Sequence, residues 1–199
     1  MTIRLLIIVA FTFLSACDNG GSSSSGSSGS KENLIVVLGD SIGAGNGASI
    51  AFPDIIASMT GIPVINNSTP GISAEAGVAR AQGLIDEHNP RYMVALLGTN
   101  NALGAGGEAD GAVNAMQTLA EICENNGVIC VIGTLPPITL SSNLNGNVKK
   151  INAGYLAIGG VRIADNNAVM SSGDIGADGI HPNNSGQQKI GNTFSAQIP

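Results

Sequence analysis

Five short apolar runs recur along the chain, at Leu34–Leu38, Pro63–Ile65, Tyr92–Leu97, Val128–Ile132 and Val161–Ala164. Amphipathic stretches of helical length follow them, at about Ser49–Met59, Ser73–Glu87, Gly111–Asn125, Asn145–Ile158 and Asn184–Ala196. The runs are apolar at nearly every position rather than at alternate ones, the mark of strands buried on both faces. Strand followed by helix, repeated, predicts an α/β fold with a parallel sheet. Right-handed crossovers then place helices on both faces. In such sheets ligands bind at the carboxyl ends of the strands, so candidate chemistry is sought just past each run.

The first run stops at Gly39-Asp40-Ser41, and small residues lead on into a helix-like segment. A strand that ends in a Gly-flanked serine exposes a hydroxyl nucleophile at the top of a sheet. Gly39 and Gly43 are expected to take the unusual backbone angles of a sharp turn. Gly-Asp-Ser is also an ordinary turn tripeptide, because Asp and Ser bond their own backbone. Past the second run lies Asn66 to Ser73, where Pro70-Gly71 makes a turn, Gly71 offers a bare backbone N–H and Ser73 caps the next helix. Past the third lies Gly98-Thr99-Asn100-Asn101, with an amide suited either to capping a turn or to binding an oxyanion. The small residues Ala102 to Gly107 read as a mobile rim, and Leu135-Pro136-Pro137-Ile138 as a stiff loop lining the same cleft. Asn152 and Tyr155 read as packing and surface.

Near the C-terminus stands Asp178-Gly179-Ile180-His181-Pro182-Asn183. Pro182 keeps His181 out of helical geometry. Asp178, three residues earlier, reaches back to the imidazole, where a carboxylate fixes one tautomer and stabilises the imidazolium. The other histidine, His88, reads as a helix-end charge favouring the dipole.

The N-terminus changes the picture of organisation. Met1-Thr2-Ile3-Arg4 carries one positive charge, Leu5 to Leu14 is almost wholly apolar, and Leu14-Ser15-Ala16-Cys17 resembles the bacterial lipoprotein box. The apolar stretch is too short to span a bilayer. Residues 1–16 are therefore expected to be a lipoprotein signal peptide. Residues 17–30 follow as a lipidated Cys17 on a Gly/Ser tether, and 31–199 as one domain. That predicts a membrane partner through a lipid anchor and a place in the bacterial cell envelope, facing the periplasm or exterior. Asp18 resembles an inner-membrane retention signal, but inner and outer membrane both stay open. A formal net charge of −6 argues against a nucleic-acid partner. Of three cysteines, Cys123 and Cys130 remain as a pair, readable as a disulfide or as two buried thiols. The two histidines make no metal-ligand spacing with that pair, so no metal is expected.

With Gly39-Asp40-Ser41-Ile42, Asn66 to Gly71, Gly98-Thr99-Asn100-Asn101 and Asp178 to Asn183 in that order, the chain from Leu34 onward resembles the GDSL, or SGNH, hydrolase family. Ile42 stands where the family usually has Leu. Order and spacing are most similar to its small bacterial thioesterase I/lysophospholipase members. The resemblance implies a flavodoxin-like three-layer α/β/α sandwich of about five parallel strands. It implies Ser41 as nucleophile, His181 as base and then acid, and Asp178 as the residue that orients His181. It implies an oxyanion hole from the N–H groups of Ser41 and Gly71 and the Asn100 amide, with no cofactor. Asp40 is expected to support the turn rather than to act chemically. The expected function is a membrane-tethered, monomeric serine esterase acting on small acyl esters, lysophospholipid or acyl thioesters. Two alternatives stand beside it: an O-acetyl esterase on cell-envelope glycan, and an inactive ligand-binding lipoprotein. The absence of Trp and the presence of only two Tyr disfavour a glycan site built on stacking aromatics.

Overall fold

The structure is a computed structural model and describes residues 30–105 and 108–199. The expected signal peptide, Cys17 and nearly all of the tether lie outside the described residues. So do Gly106 and Gly107 of the expected rim.

Strand β1 (Glu32–Gly39) carries the first apolar run, and Ile35 to Leu38 are completely buried. Helix α1 (Phe52–Thr60) has a proline in its first turn and ends on Gly61 at φ 67°, a left-handed position suited to glycine. Strand β2 (Val64–Ser68) follows, then α2 (Ala74–Val78), α3 (Ala81–His88), β3 (Pro90–Leu96) and a single helical turn, α4 (Thr99–Ala102). The second half runs α5 (Ala109–Asn125), β4 (Ile129–Gly133), α6 (Ser142–Leu156), β5 (Arg162–Ala164), α7 (Asn166–Val169), a 3₁₀ turn (Ser172–Asp174) and α8 (Asn184–Ser195).

The five strands form one sheet in the order β2-β1-β3-β4-β5, and every pairing is parallel. This is the expected flavodoxin-like arrangement. The chain steps from β1 to β2 on one side and then returns across β1 to β3. A crevice therefore opens between the carboxyl ends of β1 and β3, where the strand order reverses. Register pairs Gly39 with both Ser68 and Leu96, so the segments leaving β1, β2 and β3 emerge side by side.

Several local expectations are corrected. No helix starts directly at the end of β1; residues 42–47 form successive turns before α1, with Gly45 and Gly47 both at φ 85°. Gly39 and Gly43 do not adopt positive φ. They are small for a different reason: a methyl on either would collide with the Ser68 hydroxyl. The expected helix over Ser73–Glu87 is two helices, α2 and α3. At the break Arg80 turns its guanidinium back to donate to Thr69 Oγ1 (2.9 Å) and Asn67 O (3.2 Å). Asn152 and Tyr155 are not surface residues: both are buried. The Asn152 amide clamps the Leu135 backbone, accepting from its N–H (2.7 Å) and donating to its carbonyl (3.0 Å), and Tyr155 Oη donates to Leu97 O (2.9 Å). Cys123 and Cys130 are neighbours at the ends of α5 and β4, yet they are free buried thiols rather than a disulfide. Their mutual hydrogen bond, with burial, pushes the Cys130 thiol well up. Among the described residues, no helix is long and apolar enough to cross a membrane.

Candidate active site

Ser41 sits two residues past β1, at the mouth of the β1/β3 crevice. Its turn is held from both sides. Asp40 Oδ1 accepts from Ile42 N–H (2.9 Å), and Asn66 Nδ2 donates to Gly43 O (2.9 Å). Gln187 of α8 donates to Ile42 O (3.0 Å) and accepts from Phe52 N–H (2.9 Å), tying the turn to α1 and α8. The segment therefore needs no helix to fix the hydroxyl.

His181 comes from the far end of the chain. Its Nε2 lies 2.8 Å from Ser41 Oγ, and its Nδ1 lies 2.6 Å from Asp178 Oδ2. An ionised Asp178 takes the Nδ1 proton as donor, which leaves the Nε2 lone pair facing the Ser41 hydroxyl. Asp178 Oδ1 also accepts from the N–H groups of Ile180 (2.9 Å) and His181 (3.0 Å). Burial pushes this carboxyl up, but the His181 ring and the two N–H donors outweigh it and bring it down to about 2. It stays ionised throughout the neutral range.

A small hairpin carries the pair. Ile175 bridges Pro182, Gly176 N–H donates to His181 O (2.7 Å), and Asn183 N–H donates to Asp174 O (2.9 Å). The base of the hairpin is a hub at Asp174. Its carboxylate accepts from Ser171 N–H (2.7 Å), Ser171 Oγ (2.9 Å), Ser185 Oγ (2.8 Å) and Lys189 Nζ (2.8 Å). Burial opposes ionisation there, and these donors drive the carboxyl well below its usual range. From the other side, the loop after β4 caps the hairpin tip: Thr139 and Leu140 N–H both donate to Gly179 O. This corrects the expected role of Leu135 to Ile138. These residues are largely buried and are not among those that line the cleft; the following Thr139 and Leu140 brace the histidine loop.

The three expected oxyanion donors also converge on the cleft. Among the hydrogen bonds of the described residues, none uses the Ser41 or Gly71 backbone N–H. Gly71 has φ 79°, a conformation that any larger residue resists. Asn100 is largely buried and spends one N–H on Ile72 O (2.8 Å), which leaves the second for the cleft. Its neighbour Asn101 ties the same turn to α2, accepting from Ala74 N–H (3.0 Å) and donating to the Glu75 carboxylate (2.9 Å). Asn100 is thus fixed relative to the Gly71 turn, as donors to one developing charge must be.

The cleft has a volume of about 270 Å³. Besides the expected residues it is lined by Asn46, Pro70, Thr99, Leu103 and Ile180. Leu103 lies in the stretch Ala102 to Gly107 that was read as the rim, whereas sequence reading missed the other four as cleft residues. Pro70, Thr99 and Ile180 lay inside blocks already singled out, while Asn46 had no signal beyond lying near one. Asp174 was passed over because a lone acidic residue before a Gly-rich stretch does not announce four partners. Asp40 is wholly buried beneath the serine, and burial pushes its carboxyl up to about 6 despite the Ile42 N–H, the Thr99 hydroxyl and the charge of His181. His88 stands apart, half-buried at the end of α3 beside Glu87. Among the described residues, no three His, Cys, Asp or Glu side chains gather as a metal site.

A family model described as GDSL-like Lipase/Acylhydrolase matches residues 37–189. Over 75 residues the chain is 33% identical to "Thioesterase 1/protease 1/lysophospholipase L1" of Escherichia coli (strain K12), covering 36% of each chain. Over 108 residues it is 34% identical to an "Arylesterase" of Vibrio mimicus, covering 51% of this chain and 48% of that one. The matches thus span about a third to a half of these relatives. In fold, the chain is similar to a catalytic mutant of an acetylxylan esterase from Geobacillus stearothermophilus. The TM-score is 0.73 at 12% identity, over 84% of this chain and 94% of the other.

Proposed function

Because the chain belongs to the GDSL-like lipase/acylhydrolase family, we propose that it is a serine esterase that cleaves carboxylic ester or thioester bonds through an acyl-enzyme. The observation that carries this reading is the hydrogen-bonded relay Ser41–His181–Asp178, at 2.8 and 2.6 Å, opening onto uncommitted N–H groups. His181 Nε2 takes the proton of the Ser41 hydroxyl as the oxygen attacks the acyl carbonyl. The carbonyl oxygen, now negative, lies against the N–H groups of Ser41, Gly71 and Asn100. The imidazolium, held in place by Asp178, passes its proton to the leaving alcohol or thiol. Water then attacks the acyl-enzyme, with His181 as base once more, and Ser41 is regenerated. The relay itself calls for no metal or cofactor.

The cleft volume bears on substrate. Pockets for drug-sized ligands run from about 300 to 1,000 Å³, and this one is about 270 Å³. A short acyl group fits within it, whereas a long chain would have to lie outside. Short acyl esters, including O-acetyl groups on cell-envelope glycan, are therefore favoured over palmitoyl lipids. A series of p-nitrophenyl esters from acetate to palmitate tests this: kcat/KM is expected to fall beyond butyrate or hexanoate. A maximum at palmitate would refute the short-acyl reading. Labelling of Ser41 by a fluorophosphonate probe separates an enzyme from an inactive binder.

The proposed enzyme is tethered to a bacterial envelope membrane by lipid on Cys17, as the N-terminal pattern supports. Two or more acyl chains anchor stably where one does not. Replacing Cys17 with Ser is expected to leave the protein soluble or unprocessed, and native protein found wholly in a soluble fraction would refute the anchor.

A further inference from the structure

One buried group at the site is unused by the chemistry above. Asp40 has no exposed surface and lies immediately before the nucleophile. One of its oxygens holds the nucleophile turn through Ile42 N–H, but the other, Oδ2, has no hydrogen-bond partner. Thr99, immediately before Asn100, is likewise buried, and its Oγ1 has no partner either. A buried polar atom without a partner carries a desolvation penalty, so structures retain few of them. Here two such atoms belong to residues that are close enough for the Thr99 hydroxyl to favour the Asp40 carboxylate. One residue precedes the nucleophile and the other precedes an oxyanion donor.

We propose that Asp40 is a positioning residue for catalysis, whose buried carboxylate couples the Ser41 turn to the Asn100 turn through Thr99 and supports the positive charge that His181 acquires. The inference rests on the Ser41–His181 relay as the reacting pair. Two charged or titratable groups bear on it from the surrounding elements. His181, on the hairpin, favours the carboxylate. The Tyr155 hydroxyl of α6 is pushed up by burial, then by the Asp40 charge and the Glu75 charge of α2, so it stays neutral and donates to Leu97 O. The Ile42 N–H and the Thr99 hydroxyl favour the Asp40 carboxylate most, and His181 adds the favourable charge. In a water-poor site such an interaction is strong, and it grows as His181 becomes cationic in the transition state. Ionised Asp40 then speeds the chemical step, and a proton on Asp40 slows it. Burial places this ionisation at about 6, inside the range in which an esterase is assayed.

The test is the pH profile of kcat on a short p-nitrophenyl ester whose chemical step limits turnover. The acid limb of the wild-type rate is expected to include the uptake of a proton by Asp40. Asp40→Asn is expected to lower kcat about tenfold at pH 8, with KM little changed, and to give an acid limb less steep by that one proton. Thr99→Val removes the hydroxyl that favours the carboxylate, so it is expected to move the upper part of the acid limb to higher pH. Thr99→Ser is expected to move it back. An acid limb of the same steepness in Asp40→Asn as in wild type overturns the proposal. So does a limb that does not move in Thr99→Val. If Asp40→Asn does not fold, the Thr99 pair decides alone. Ser41→Ala, run alongside, distinguishes the failures. If it keeps full activity, the relay itself is wrong; if it is inert while the Asp40 and Thr99 variants leave the limb unmoved, only the role of Asp40 falls.

Discussion

Asp40 and Asp178 serve one histidine from opposite surroundings. Asp178 lies on a surface hairpin with its side chain 49% exposed, bonds the ring directly, and is brought down to about 2. Asp40 is 0% exposed at the end of the central strand, makes no bond to the ring, and is pushed up to about 6. The same carboxyl group is thus a permanent anion in one place and a titrating group in the other. Burial penalises the charge of both, far more at Asp40, and more donors meet the charge at Asp178. Three protein donors are directed at Asp178, whereas Asp40 has one N–H in good geometry and an oxygen left over. The exposed carboxylate can fix a tautomer at any neutral pH. The buried one can report, and respond to, a change in pH.

Both carboxylates act through the Ser41–His181 pair, so removing either member of that pair is expected to have the largest effect. Ser41→Ala and His181→Ala are each expected to lower kcat on a short ester by about 10⁴-fold or more, leaving what the oxyanion hole and binding supply. His88→Ala, on α3, is expected to change nothing. Steady-state kinetics on folded variants decides this. Loss of activity in His88→Ala with retention in His181→Ala would break the comparison at its root, since neither carboxylate would then face the working base.

The next effect falls on the oxyanion side. Asn100→Ala removes one donor and is expected to lower kcat about 10²–10³-fold with little change in KM. The acyl-enzyme route stays open, so a rapid burst of p-nitrophenol is expected to shrink in rate rather than to vanish. A KM rise with unchanged kcat would place Asn100 in ground-state binding and take the Asp40–Thr99–Asn100 coupling with it.

The sequence showed the architecture and most of the chemistry because these rest on local chain properties. Continuous apolar runs identified the buried strands β1, β3 and β4, since a parallel sheet covered by helices leaves no polar face to interrupt them, while the edge strand β2 showed only its apolar start. Asp178 and His181 were legible as a pair because Pro182 forces a loop and three residues suffice for the side chain to reach the ring. What stayed hidden rests on distant contacts. Gly39 and Gly43 were assigned to backbone freedom, but they are small because Ser68, from the next strand, stands against both. At the break between α2 and α3 Arg80 reaches Thr69 and Asn67, contacts that no helical periodicity encodes. Asp174 and Thr99 gain their meaning only once α8 and the Ser41 turn have folded against them. The cleft volume, on which the proposed short-acyl preference rests, has no local signature at all.

The smallest expected effect is on stability, and its sign differs between the two carboxylates. For Asp40 the ordinary value is 3.8 and the folded value about 6. Between those values the folded protein holds a proton that the unfolded chain has released. Its contribution to stability is therefore fully present below 3.8 and is lost as pH rises through about 6. Across that interval the difference corresponds to roughly 3 kcal/mol. Asparagine at this position keeps an acceptor for Ile42 N–H, offers Thr99 Oγ1 an amide donor and never ionises. Asp40→Asn is accordingly expected to melt close to wild type at pH 4 and several degrees above it at pH 8, a gain of about 2–3 kcal/mol. Asp178 works the other way. Its value is lowered from 3.8 to about 2, so its support is present above 3.8 and disappears as pH falls through 2. Asp178→Asn is expected to melt slightly below wild type at pH 8, by a small amount because water screens a half-exposed group. Melting curves of the three proteins at pH 4, 6 and 8 provide the measurement. If the Asp40→Asn difference stayed constant across that range, the carboxyl would titrate at the same pH in the folded and unfolded chain. The contrast between the two aspartates would then reduce to one of exposure alone.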